Sequence, residues 1–225
     1  MSLNQNRKLY LIYLLCLFGI FLGITVRWGL WQPLDLAISH TFQSLQPTWL
    51  VKFNQLLSSF EIGIVFIIFP LFVYFKKKKN NKEAYFILAA GLSWFVMRIL
   101  KLTFGVPCPT AHDVQLLYGF HNIESEVSRL SNIIKFFDPD VCYPSGHVFD
   151  FIMVWGTIFT LRQSFTKNKK AHQIIGVIAL SLIILIGQAR ISLGAHWFTD
   201  VIGGYLFGIA WLLILRWVFI QSTRE

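Results

Sequence analysis

Arg190-Ile-Ser-Leu-Gly-Ala-His196-Trp-Phe-Thr-Asp200 is a short polar cluster set against two apolar runs, Ile174 to Gln188 and Trp197 to Ile220. His196 and Asp200 are four apart, so on a helix they share a face, where the carboxylate can hold the imidazole in one tautomer. Arg190 lies six residues before the histidine, with Gly194 between them to let the chain turn. A held imidazole facing a guanidinium suits attack on a phosphate ester, the arginine neutralising the phosphoryl oxygens while the histidine attacks phosphorus. A structural hydrogen-bonded pair at a helix start is the competing reading. Ionisable groups at a membrane boundary are costly, which favours the chemical one.

The surroundings are those of a membrane protein. Of 225 residues 55% are hydrophobic and 14% charged, and the mean hydropathy is +0.58. A soluble domain carries about a quarter charged residues. The net charge of +9 does not point to nucleic acid, because Lys76 to Lys79 abut an apolar run, as cytoplasmic loops do. The three cysteines are too few for a disulfide scaffold and have no metal-ligand spacing. The aromatic content fits lipid-facing surface and interfacial belts.

Six transmembrane spans are expected in a single all-α bundle covering 1–225. Leu9 to Val26 is the first, read as an uncleaved helix rather than a signal peptide because Arg27-Trp28-Gly29-Leu30-Trp31 follows it in place of a cleavage site. An outer stretch, 27–60, contains a short amphipathic segment around Leu34 to Leu45. The next spans are Phe60 to Phe75, with Pro70 expected to kink it, and Ala84 to Leu100. Residues 101–143 form a long polar stretch in which Val127 to Phe137 could be a surface helix. His147 to Leu161, Ile174 to Gln188 and Trp197 to Ile220 complete the six, with Ala189 to Ala195 as a tight outer turn.

Charge orients this arrangement. Arg7, Lys8, the lysines of 76–82, Arg162, Lys167, Lys169, Lys170 and Arg224 fall on one side, which the positive-inside rule places in the cytoplasm with both termini. The polar clusters then lie on the extracytoplasmic face. Cys108 and Cys142 share that oxidising side and bracket the long stretch, suggesting a disulfide that clamps its ends; two unpaired thiols are the alternative. His112, His121 and the nearby acids match no ligand pattern and read as solvated loop polarity.

A second cluster, Tyr143-Pro144-Ser145-Gly146-His147, puts a histidine behind a turn that opens a helix, where backbone N–H groups make an anion site. His147 reads as the general acid, with Ser145 and the Gly146 N–H on phosphate oxygens, against a plain capping role. Asp150, three residues on, either tunes that histidine, binds a polar headgroup or makes a buried hydrogen bond to another helix. Together with Lys101-Leu-Thr-Phe-Gly-Val-Pro-Cys108-Pro109, these clusters resemble the type 2 phosphatidic acid phosphatase superfamily. That family's pattern is Lys-x6-Arg-Pro, then Pro-Ser-Gly-His, then Ser-Arg-x5-His-x3-Asp. The resemblance covers 101–200, with Cys108 in place of the family's arginine and Ala189 in place of its serine. Cys108 lacks an arginine's charge and fork of donors, and Arg98 or Arg129 are candidates to compensate.

The resemblance implies a set of expectations. The clusters should meet at the ends of a core helix bundle, with Lys101, Ser145, Gly146 and Arg190 binding phosphate. His196 should form a phosphohistidine, Asp200 orient it and His147 supply the proton. No metal, cofactor or obligatory protein partner is expected. The implied activity is removal of phosphate from a lipid phosphate or diphosphate: undecaprenyl diphosphate, phosphatidylglycerol phosphate, phosphatidic acid or a lipid A phosphate, in a bacterial inner membrane. Two alternatives remain: a lipid phosphotransferase using the same site, and a non-catalytic phospholipid-binding or transport protein.

Overall fold

The computed structural model describes residues 3–59, 63–118 and 141–221. Among the described residues there are nine α-helices: α1 (Leu3–Arg27), α2 (Gln32–Leu45), α3 (Thr48–Ser58), α4 (Gly63–Lys77), α5 (Asn81–Leu92), α6 (Trp94–Phe104), α7 (Gly146–Phe165), α8 (Lys169–Ser192) and α9 (Phe198–Arg216). A π-helical turn, Trp217–Gln221, follows α9. The only extended pairing among the described residues is an isolated bridge between Pro107 and Val141.

Four stretches are long and apolar enough to cross a membrane: Asn6–Arg27, Asn81–Phe104, Lys169–Ser192 and Phe198–Ile220. The expected third span is thus α5 and α6 stacked end to end, broken at Ser93. The Ser93 hydroxyl donates to Ala89 O and accepts from the Trp211 indole N–H at 2.7 Å, so the break is pinned to α9. The described part of α4 has 15 residues and carries Pro70 within it. In α7 the 20 residues include His147, Asp150 and Arg162, which hold its hydropathy below that of the four long stretches.

That difference has a structural cause. α7 is the central helix: Val148, Phe149, Phe151, Ile152, Met153 and Val154 are all buried, so it touches protein all round. It packs against α8 and α9, and α1 runs along α9. By contrast α8 turns Ile174, Val177, Ile178, Leu180 and Ile184 outward, as a lipid-facing helix does. Helix α8 also runs through Ser192, so residues 189–192, expected in a turn, are helical; the reversal is confined to residues 193–197. The outer stretch holds two helices rather than one amphipathic segment, and α2 packs on α8 and α9 while α3 packs on α8. The helix expected over Val127 to Phe137, with His121, Glu124, Glu126, Arg129, Asp138 and Asp140, lies outside the described residues.

Candidate active site

The turn between α8 and α9 is built around Gly194, whose φ of +68° falls in the left-handed region. A side chain there would run into the Gln115 carbonyl oxygen, so the position requires glycine for space as well. The turn delivers His196 to the start of α9 just outside the helix, before the N-cap Trp197. The expected pairing with Asp200 therefore arises across a helix N-terminus rather than along one helical face. Asp200 occupies the third helical position and its Oδ2 accepts the Trp197 N–H at 2.9 Å. The same oxygen lies 3.4 Å from His196 Nδ1, and both side chains are buried. Asp200 thus closes the helix start and lies beside one ring nitrogen of His196.

Helix α7 starts beside it. The Ser145 N–H donates to the Asp200 carbonyl at 2.9 Å, joining the second cluster to the third. This close approach depends on small residues in α9: a Cβ on Gly204 would sit 2.8 Å from the Ser145 carbonyl oxygen, and one on Gly203 would enter the Tyr143 ring. Tyr143 is fully buried against Phe104 and Phe207, and its hydroxyl donates to Gly19 O in α1. It anchors the turn that presents Ser145. The Ser145 hydroxyl is buried and has no hydrogen-bond partner within the protein, which suits donation to a ligand oxygen.

The His147 and His196 rings face one another with centroids 6.2 Å apart at 67°. Lys101, near the end of α6, reaches the start of α7; its Nζ would be 3.9 Å from a Cβ placed on Gly146. Arg190, in the last turn of α8, is buried, and its guanidinium carbon is 5.9 Å from the Tyr118 ring centroid. Burial first, then the charges of Arg190, Lys101 and His147, hold the His196 imidazole well below its usual range. That depression favours the neutral imidazole. All seven expected residues, Lys101, Ser145, Gly146, His147, Arg190, His196 and Asp200, lie at this one end of the bundle.

Sequence reasoning missed Asp35. It projects from α2, is 3% exposed, and accepts from the Thr199 N–H at 2.9 Å and the Thr199 hydroxyl at 2.7 Å. Burial pushes its carboxyl above the usual range, with the Thr199 bonds pulling the other way. A residue 164 positions away thus caps the helix that carries Asp200. Its only signal in the sequence was an acid in the first turn of an amphipathic helix. Nearby, Gln43 exchanges bonds with Gln115, and Gln46 donates to the Ser192 carbonyl, so α2 also holds the outer turn.

Cys108 and Cys142 form a disulfide, so Cys108 is a structural residue where the family pattern has a cation. Cys142 N–H also donates to Val106 O, and the bond lies next to Tyr143. Cys142, His196 and Asp200 bring ligand-type atoms within 4.8 Å of one another, but a disulfide sulfur is no thiolate and the trio does not suit a metal. Arg98 is buried one turn before Lys101 with its guanidinium over the Trp94 ring, while Arg129 lies outside the described residues.

Comparison with known proteins agrees with this fold. The structure superposes on the crystal structure of the first transmembrane PAP2 type phosphatidylglycerolphosphate phosphatase from Bacillus subtilis with a TM-score of 0.73, covering 96% of this chain and 98% of that one at 21% identity. Phosphatidylglycerophosphatase B of Bacillus subtilis (strain 168) is 23% identical over 208 residues, 90% of this chain and 91% of that protein. Lipid A 1-diphosphate synthase of Escherichia coli (strain K12) is 23% identical over 203 residues, 85% of this chain and 80% of that protein. With four apolar helices of spanning length and a transmembrane fold neighbour, the chain is an integral membrane protein. The PAP2 superfamily model matches residues 82–224, well over half of the chain and all three polar clusters, and the chain belongs to that superfamily.

Proposed function

We propose that the protein removes phosphate from a lipid phosphate or diphosphate without a metal, through a phosphohistidine on His196. The observation that carries this reading is the opposition of the His147 and His196 rings at one end of the bundle, with the charges of Arg190 and Lys101 acting on His196. Neutral His196 Nε2 attacks phosphorus while Asp200 holds Nδ1. The P–N bond forms as the P–O bond to the lipid breaks, and His147 gives its proton to the departing oxygen. Water then attacks phosphorus, His147 takes its proton, and phosphate leaves with His196 restored. Arg190, Lys101, the Ser145 hydroxyl and the N–H groups opening α7 carry the phosphoryl charge.

In this reading residues 1–225 form one unit, with α4 and α7 added to the four long helices as the fifth and sixth spans. The basic end lies in the cytoplasm of a bacterial inner membrane and the site at the extracytoplasmic boundary. The lipid tail enters from the bilayer while its phosphate meets His196. Phosphatidylglycerophosphate, the kind of substrate one relative is named for, is a member of this class.

A second reading is transfer of the phosphoryl group to another lipid. It is favoured by one observation, the relative named as a synthase of a lipid diphosphate. Phosphate release by purified protein with EDTA present, from a panel of lipid phosphates and diphosphates, tests both. Release that His196→Ala abolishes supports hydrolysis. Release only when a second lipid is omitted, and labelled product when it is added, supports transfer. Release that is unchanged in His196→Ala removes the phosphohistidine mechanism.

A further inference from the structure

Helices α7 and α8 are antiparallel, so the end of α7 and the start of α8 meet far from the site. His147 and Arg162 are about 22 Å apart along α7 at 1.5 Å per residue. There the two helices enclose a cleft of about 660 Å³. Its mouth is basic, with Arg162, Lys167, Lys169 and His172, and its wall is apolar, with Val177 and Leu180. Among the described residues no acidic one lines it, and none occurs in the sequence between Asp150 and Asp200 to neutralise it locally.

Two features separate this cleft from a merely basic loop. Arg162 is fixed in place, because its Nη1 donates to the Phe159 carbonyl and its guanidinium lies 4.1 Å from the Phe159 ring centroid. His172 is likewise fixed, its Nε2 bonding the Thr166 carbonyl. The apolar wall also continues into the lipid-facing stripe of α8: Val177 is 64% exposed and Leu180 48%. Cations at the mouth and an outward apolar stripe running along the bilayer direction match an amphiphile, a phosphate with an acyl chain.

We propose that this cleft binds an anionic phospholipid of the leaflet opposite the catalytic face. The phosphate sits among Arg162, Lys167 and Lys169, and one acyl chain lies along Val177 and Leu180. This site is independent of the His196 chemistry.

The test measures binding of phosphatidylglycerol, against phosphatidylcholine with the same chains, to the full chain in neutral detergent by native mass spectrometry. It is repeated in an Arg190→Ala background, which weakens phosphate binding at the catalytic end, so that a lipid held there would be lost while one in the cleft would remain. The expected result is one phosphatidylglycerol per chain, held at least about tenfold more tightly than phosphatidylcholine. Exposed Lys167→Gln with Lys169→Gln should weaken it about thirtyfold. Lys77→Gln with Lys79→Gln, an equal loss of charge at the same end, should change it less than twofold. Equal weakening by both pairs would reduce the cleft to diffuse surface charge and overturn the proposal. So would no weakening by either, or displacement of the lipid by glycerol phosphate as effectively as by whole phosphatidylglycerol.

Discussion

The two ends of the bundle carry polar groups in opposite ways. At the catalytic end His196, Arg190, Asp200 and Asp35 are buried, and contacts between distant parts of the sequence hold them. Asp35 meets Thr199, Gln43 meets Gln115, Ser145 meets Asp200, and the disulfide joins Cys108 to Cys142. At the other end Lys167, Lys169 and Lys170 are exposed and the contacts are local: Asn168 caps its own helix, and Lys76 bonds Asn81. Buried charge is tolerated only where partners from several elements converge. The catalytic end therefore depends on the whole fold, and the basic end depends on neighbours in the chain.

The strongest test of that contrast removes His147, the proposed proton donor. His147→Ala should lower phosphate release by about 10²–10⁴-fold, as loss of a general acid does, while leaving stability nearly unchanged because His147 is only half-buried. The rate profile of the unaltered protein should keep its nucleophile active well below pH 6.5, since burial and the neighbouring cations depress the His196 pKa. The linked stability runs the same way. A depressed pKa means the folded state binds fewer protons, so stability is full above the unfolded value of about 6.5 and declines as pH falls towards the folded value. An acid limb at or above pH 6.5 would contradict a buried neutral His196.

Breaking the cross-link comes next. The disulfide closes a 34-residue separation, for which chain entropy alone gives about 3–4 kcal/mol. Cys108→Ser with Cys142→Ser should lower the denaturant midpoint accordingly. Release should fall too, because the bond adjoins Tyr143 and the turn carrying Ser145. A midpoint insensitive to both the substitutions and a reductant would mean the long outer stretch holds its ends without help.

Much of this was legible in the sequence for a physical reason. The residues proposed to do chemistry are polar groups where mostly apolar ones belong, so His147, Arg190, His196 and Asp200 stood out before any fold was known. The hydrophobic runs likewise marked α1, α8 and α9, and the lysines marked one end. What was not legible is contact at long range. Asp35 reads as a plain surface acid until α2 folds back over α9, whereas the Cys108–Cys142 disulfide was expected from the shared side and is present. The boundaries of α8 were misread for a related reason. Arg190 interrupts the apolar pattern although its helix continues, because the guanidinium is buried among partners that the pattern does not contain.

Asp35 shows what such a contact contributes. Asp35→Ala leaves two buried donors of Thr199 without acceptors and should cost about 2 kcal/mol in unfolding experiments. Asp35→Asn keeps one acceptor and should recover roughly half of that. Because Asp35 acts on Asp200 through the start of α9, kcat should fall in Asp35→Ala with KM little changed. A loss of stability with full kcat in the folded fraction would make the contact purely structural. The elevated carboxyl pKa gives a further sign: the contribution is complete below the unfolded value of about 3.9 and is lost as pH rises through the folded one, so Asp35→Asn should gain on the parent at alkaline pH.

The smallest effect is expected at the opposite end, and it is the one that separates the two ends most cleanly. Asn168 accepts from the Lys170 and Ala171 N–H groups and so satisfies two donors at the start of α8. Asn168→Ala should cost about 1 kcal/mol, the ordinary value of an N-cap, seen as a shift in the unfolding midpoint. Phosphate release at 25 °C should be unaltered, since Arg190 lies at the other end of the same helix, some 30 Å away at the rise of an α-helix. If release fell with the midpoint, the start of α8 would be coupled to Arg190 along the helix. The basic end would then take part in holding the site as well as orienting the protein.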